Sequence, residues 1–203
     1  MKLYLGYKII RRVINNIMRC IHNVNSIIIF WGNNVRHKNF STTGSPYVSV
    51  ARSGICIIGN NFRMNNGIKG NPIGCSQRCS IFVDRGAKLL IGDNVGISQT
   101  ALICHERITI GNNVTIGGGV CIYDTDFHSL HPELRMKNQT DIAMKKPVTI
   151  KDNVFIGAHS IILKGVTIGE NTVIGACSVV TKSIPENEIW AGNPARFIKK
   201  INL

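Results

Sequence analysis

Much of what this 203-residue chain could be is excluded by what it lacks. It has no apolar stretch near the roughly 20 residues that a bilayer-crossing helix needs; Ile27–Trp31 is among its longest. A secretory signal needs an unbroken apolar core, and Arg11 and Arg12 interrupt the N-terminal candidate. Aromatic residues are scarce, at 6%, which suits a core packed with Ile and Val rather than with rings. The seven cysteines are odd in number and include no CxxC pair, which points to reduced thiols in the cytoplasm rather than a disulfide framework. Cys75 and Cys79 have no second ligand pair downstream, so a structural metal site is not expected. Cys121 and Cys177 read as small fillers inside a core.

What is present is a single-domain length, 44% hydrophobic residues and a net charge of +13. The excess charge invites a nucleic-acid reading, yet no recognition motif occurs and the basic residues are dispersed. An anionic cofactor, an acidic glycan or an anionic membrane surface is the expected partner class. Near the N-terminus, Leu3, Ile10, Val13, Ile14, Ile17, Ile21 and Val24 keep a helical period, with Lys8, Arg11, Arg12, Asn15, Asn16 and Arg19 between them. Residues 1–30 are therefore predicted to form an amphipathic helix. Residues 1–24 could lie on a membrane, which would place the protein in the cytoplasm at the inner membrane surface. The favoured expectation is a cap on the end of a repeat array, because the polar face is rich in Asn and the apolar face lacks Trp and Phe anchors.

Ile150, Ile156, Ile162, Ile168, Ile174 and Val180 stand at an unbroken spacing of six. No single helix or strand has that period, so it implies a solenoid. Each hexad supplies one short strand with an inward apolar side chain and then a corner where Gly or Asn tolerates unusual dihedrals. Three hexads close one triangular turn. The phase extends upstream through Ile91, Ile97 and Ile103, and then, after a one-residue slip at Cys104–Arg107, through Ile110, Ile116 and Ile122. Ile58, Met64 and Gly70 keep the spacing further back, whereas residues 71–86 are poorly periodic. The solenoid is placed within residues 31–184, with a C-terminal segment at 185–203.

After Ile122 the repeat lapses until Val148, so residues 124–147 are predicted to leave the coil as an extruded loop. The loop carries Asp124, Asp126, His128, His131, Glu133, Arg135 and Asp141, the densest set of titratable groups in the chain. His128 occupies the next phase position after Ile122, where an apolar residue was due. An imidazole there suits a general base at neutral pH.

The repeat, the segment Ile122-Tyr-Asp-Thr-Asp-Phe-His-Ser-Leu-His-Pro-Glu-Leu-Arg135 and the ending Ala191-Gly-Asn-Pro-Ala-Arg196 resemble the hexapeptide-repeat acyltransferases, most of all the maltose, galactoside and polysaccharide sugar O-acetyltransferases. The resemblance covers roughly residues 85–201. It implies an all-β, left-handed parallel β-helix that assembles as a homotrimer. It also implies transfer of an acetyl group from acetyl coenzyme A to a sugar hydroxyl, without a metal. A surface polysaccharide or its precursor is the expected acceptor, with a free sugar or an antibiotic as the alternative. His128 is implied as the general base, with His131 as runner-up. Asp126 and Glu133 are implied as its orienting groups or as sugar ligands, with Asp141 similar to them. Ser98 and Gln99 lie where an acceptor contact is expected. Ala158 and Ala176, one turn apart, would line the pantetheine slot, and Thr181, Lys182 and Arg196 would meet the phosphate end. The segment 185–203 would complete that site, with Trp190 in place of a smaller residue.

The same scaffold supports two rival readings. A zinc carbonic anhydrase would need three converging histidines, and His105, His128, His131 and His159 do not share a repeat phase. A purely structural β-helix would leave the histidine-bearing loop unexplained.

Overall fold

The computed structural model describes residues 2–137 and 140–202, with side chains from Tyr4 onward; Leu3, the first of the predicted apolar series, falls outside these. The helix α1 spans Lys2–Gly32 and leads into a left-handed parallel β-helix of three faces. The first face stacks Ile55–Ile58, Lys88–Ile91, Arg107–Ile110, Val148–Ile150 and Thr167–Ile168 on Arg36–His37. The second runs from Phe40–Thr43 to Val173–Ile174 and Glu188–Ala191, and the third from Tyr47–Val50 to Val179–Val180.

The six-residue phase works as the sequence predicts. Ile150 pairs with Ile168, Ile156 with Ile174 and Ile162 with Val180, each one turn apart on its own face. All six side chains are buried in one continuous core. The corners between the first and second faces are turned by Asn94, Asn113, Asn153 and Asn171, each with φ between 56° and 60°. This left-handed region costs most L-residues about 1–2 kcal/mol, and Asn tolerates it because its side chain bonds locally. Here the side chains bond to one another: Asn94 Nδ2 donates to Asn113 (3.0 Å), Asn113 to Asn153 (3.1 Å) and Asn153 to Asn171 (2.9 Å). On the next edge, a Cβ on Gly157 would collide with the backbone nitrogen of Ala176, so coils approach there at a distance only glycine permits.

The upstream phase differs from expectation. Ile103 is half-buried and faces outward, while Leu102 and Cys104 point into the core. Leu102 pairs with Ile122, and Ile108 with Leu89. One residue is therefore lost near Ser98, where the register shifts, and two are gained at the corner His105–Glu106, which together give the single-residue slip. Gly70 is not a coil position. It closes the short helix α2 (Gly67–Gly70), and residues 66–79 form a first excursion before Ser80–Val83 resumes the third face.

The C-terminal turns of α1 cap the first coil. Phe30 and Ser26 are buried, Asn23 Oδ1 accepts the Thr42 N–H at 3.1 Å, and Asn33 Oδ1 accepts the Val50 N–H at 3.0 Å. The asparagines thus satisfy edge groups that no strand covers. At the far end Trp190 is buried in a hairpin, Glu188–Ala191 against Arg196–Lys200.

The asparagine ladder makes a sharp test. Asn153→Ala should lower the unfolding free energy by roughly 1–3 kcal/mol, the sum of left-handed strain and lost hydrogen bonds. Asn153→Gly should cost less, because only the bonds go. Denaturant titration of both variants compares them, and equal losses would refute the strain component.

Candidate active site

The extruded loop leaves the third face after Tyr123 and rejoins the first at Val148. Its neck is a short antiparallel ribbon: Thr125 bridges Lys145, the Lys146 N–H donates to Asp124 O at 2.9 Å, and the Asp126 N–H donates to Met144 O at 3.1 Å. Asp124 is fully buried beneath this neck. Its carboxylate accepts the N–H groups of His105 (2.7 Å), Glu106 (2.8 Å) and Arg107 (2.8 Å), the corner that holds the two extra residues. A group that reads as one of several loop acids is therefore the anchor of the loop base.

His128 stands further out, with 67% of its side chain exposed. Its Nδ1 lies 2.7 Å from Asp141 Oδ2, and Asp141 Oδ1 accepts the Ser129 N–H at 2.6 Å. The His128 hydrogen bond first, and then the Ser129 N–H, hold the Asp141 carboxyl below its ordinary range. An ionised carboxylate only accepts, so the short contact places the proton on Nδ1. In the neutral ring Nε2 is then left with its lone pair, as a base requires. Arg135 Nη1 donates to Ser129 O at 2.7 Å and so ties the Glu-Leu-Arg segment to the same turn. Phe127, immediately before the base, has φ of 65°, a strained value for an aromatic residue that redirects the chain there.

The other expected residues are distributed differently. Asp126 does not orient His128: its Oδ1 holds Lys164 Nζ at 2.9 Å, and its Oδ2 is buried without a partner. Glu133 is exposed on the helix α3 (Pro132–Arg135), and His131 stands at its N-terminal boundary without a side-chain cap bond. Gln99 and Ser98, expected as acceptor contacts, are buried at a corner, where both side chains bond to the protein itself. The Gln99 amide nitrogen donates to the carbonyls of Gly67, Asn71 and Cys75 at 2.9–3.0 Å and holds the first excursion in place. Ser98 Oγ accepts from Asn65 Nδ2 at 3.1 Å. Ala158 and Ala176 do stack on one edge, with the Cys177 N–H bonded to Ala158 O at 2.8 Å. Gly117, Gly157 and Gly175 flank them, so this edge is mostly bare backbone. Thr181, Lys182 and Arg196 are exposed near the C-terminal end, and Lys182 Nζ lies 5.3 Å from the Trp190 ring centroid.

Two further histidine pairs flank the loop base and the edge. His105 Nδ1 lies 3.0 Å from Asp84 Oδ2, and His159 Nε2 lies 3.6 Å from Cys75 Sγ. The pairing of His128 with Asp141 is the arrangement that spacing alone does not reveal, since thirteen residues separate the two. The one signal for it was that Asp141 is the last carboxylate of the loop.

Residues 147–182 match a family model described as bacterial transferase hexapeptide (six repeats). The galactoside O-acetyltransferase of Escherichia coli is 42% identical over 123 residues, 60% of this chain and 59% of that protein. A solved maltose O-acetyltransferase from Clostridium difficile is 32% identical with a TM-score of 0.54, and 83% of this chain covers 70% of it. An N-acyltransferase from Bacillus cereus, solved with dTDP-4-amino-4,6-dideoxyglucose and coenzyme A, is 25% identical with a TM-score of 0.66, and 88% of this chain covers 90% of that one. The chain spans 59–61% of the length of the first curated relatives it matches.

Because its folded pKa is depressed, Asp141 contributes stability that is complete above the ordinary carboxyl value of 3.8 and is lost as pH falls through the lower folded value. A carboxyl-carbon NMR titration should show Asp141 ionising below 3.8, and His128→Ala should move it back upward. A midpoint at or above 3.8 in the parent chain would refute the pair.

Proposed function

Since the chain belongs to the hexapeptide-repeat acyltransferases, we propose that it transfers an acetyl group from acetyl coenzyme A to a sugar hydroxyl, with His128 as general base. The observation that carries this reading is the 2.7 Å contact of His128 with Asp141, which sets the tautomer and leaves an exposed Nε2 free to accept a proton. His128 Nε2 takes the proton of the acceptor hydroxyl as its oxygen attacks the thioester carbonyl. Asp141 stabilises the imidazolium that forms and holds its orientation. Collapse of the tetrahedral intermediate breaks the carbon–sulfur bond, and the proton on His128 passes to the departing thiolate.

The residues fit a coenzyme A ligand. The bare edge at Ala158 and Ala176 offers backbone groups to the pantetheine arm, and Thr181, Lys182 and Arg196 offer a hydroxyl and two cations to its phosphates. The amino-sugar nucleotide bound by the Bacillus cereus N-acyltransferase supports a sugar as acceptor class here. A polysaccharide or its lipid-linked precursor is the favoured acceptor, with the enzyme working in the cytoplasm at the inner membrane surface. The active unit is read as a homotrimer, in which a neighbouring prism would complete the donor slot. A zinc enzyme is disfavoured because His105, His128 and His159 are held in three separate pairs.

His128→Ala should lower kcat for acetyl transfer to a sugar acceptor by about a hundredfold or more, and Asp141→Asn by at least about tenfold, because the tautomer is no longer fixed. Both variants should keep the parent's thermal stabilisation by coenzyme A, since neither lines the proposed donor edge. Near-normal turnover of His128→Ala would refute the assignment. Stabilisation by zinc but not by coenzyme A would refute the transferase reading as a whole.

A further inference from the structure

Asp84 is the first carboxylate in the chain, and eleven of the 24 Lys and Arg residues precede it. The cations are dispersed but the carboxylates are not, so the net charge is segregated. The N-terminal part is purely cationic, while the remainder is close to balanced.

The helix α1 carries this charge on the wrong side for a simple cap. Its buried residues Ser26 and Phe30 continue the line of Lys8, Arg12 and Arg19 along the helix, and Arg19 lines a cleft of about 300 Å³ against Ser41, Thr43 and Arg63 of the second face. At 3.6 residues per turn, Ile14, Ile17, Ile21, Val24, Ile28 and Trp31 fall about half a turn away from that line. These six are 52–83% exposed, so the apolar stripe faces away from the solenoid from Ile14 to Trp31. Trp31, beyond the stretch first considered, is the aromatic anchor that the stripe otherwise lacks.

We propose that α1 lies on an anionic lipid surface, with the stripe from Ile14 to Trp31 buried among the acyl chains and Lys8, Arg11 and Arg12 held at the headgroups. The stripe also has the alternating three- and four-residue spacing through which copies of a helix pack together. That occupant is the weaker one. The helix has no carboxylate to pair with its arginines across such a seam, and Val13 and Ile27 widen the apolar face beyond a narrow seam. No helix among the described residues is long and apolar enough to cross a membrane, so the contact is in the plane of the surface. The contact itself stands on the helix alone; its use, holding the enzyme over lipid-linked acceptors, rests on the transferase reading.

The full chain should co-sediment with vesicles of equal parts phosphatidylglycerol and phosphatidylcholine, much less with phosphatidylcholine alone, and less with the anionic vesicles at high salt. The triple variant Lys8→Ser, Arg11→Ser, Arg12→Ser should bind the anionic vesicles on the order of a hundredfold more weakly. Ile14→Asn with Ile17→Asn should lose binding to both vesicle types while the solenoid melts at the parent temperature. If the stripe variant unfolds, the triple variant, whose residues touch no core side chain, decides alone. Equal binding to neutral and anionic vesicles would overturn the proposal. So would a parent chain that ignores vesicles, with an oligomer mass that falls in the stripe variant, because the occupant is then a second copy. Acetyl transfer is not read in any of these measurements, so loss of the transferase reading would leave their outcome intact.

Discussion

Parallel pairing between stacked coils admits eighteen residues to a turn, because every strand on a face must find its hydrogen-bond partners one coil below. Residues in excess of that number have nowhere to go but outward at a corner. Asn112 and Asp152 still meet, with forty residues between them, because the surplus has been expelled between Tyr123 and Val148. The loop that holds His128 is thus a product of register. The depth at which Asp124 is buried shows what the register demands: three N–H groups at the enlarged corner would be unpaired without its carboxylate.

The regular part of this scheme was legible because it is written in inward side chains. A period of six in Ile and Val can be read without knowing the pairing, and so can the Asn and Gly residues that turn the corners. The irregular coil was misread at Ile103 for the same reason. Leu102, Ile103 and Cys104 are all apolar enough to be inward, and only the pairing of Leu102 with Ile122 decides between the two phases. The stripe on α1 was visible, but its direction was not, since periodicity fixes relative angles and says nothing about which line meets the body. Phe30 and Ser26 set that direction.

The chemistry was legible to a lesser degree, and the division is physical. His128 could be found because it breaks the repeat at a phase position. Its carboxylate partner could not be chosen among Asp126, Glu133 and Asp141, since loop closure brings together residues whose spacing carries no pattern. Lys164, from the adjacent coil, decides the matter by engaging Asp126 and so leaving Asp141 as the acid that reaches the imidazole. Gln99 illustrates the converse. A polar residue at a functional-looking corner is spent on three carbonyls of the first excursion, because a loop of that length has backbone groups that must be satisfied.

The two ends of the proposed catalytic pair differ in their exposure, and that asymmetry has a consequence. Asp141 is 16% exposed on its side chain, whereas His128 is 67% exposed. The end that fixes the tautomer is already shielded, while the end that must take a proton faces solvent. Electrostatic stabilisation of an imidazolium gains strength as water is excluded, so the proposed base would gain from a cover over His128, which stands exposed in the single chain. A neighbouring prism in the proposed trimer, the bound donor and the acceptor itself are the surfaces that would meet there. Orientation is therefore built into the isolated chain, and under the proposed function desolvation would be left to assembly and to substrate, which would confine an activated base to the complex in which it has a hydroxyl to deprotonate.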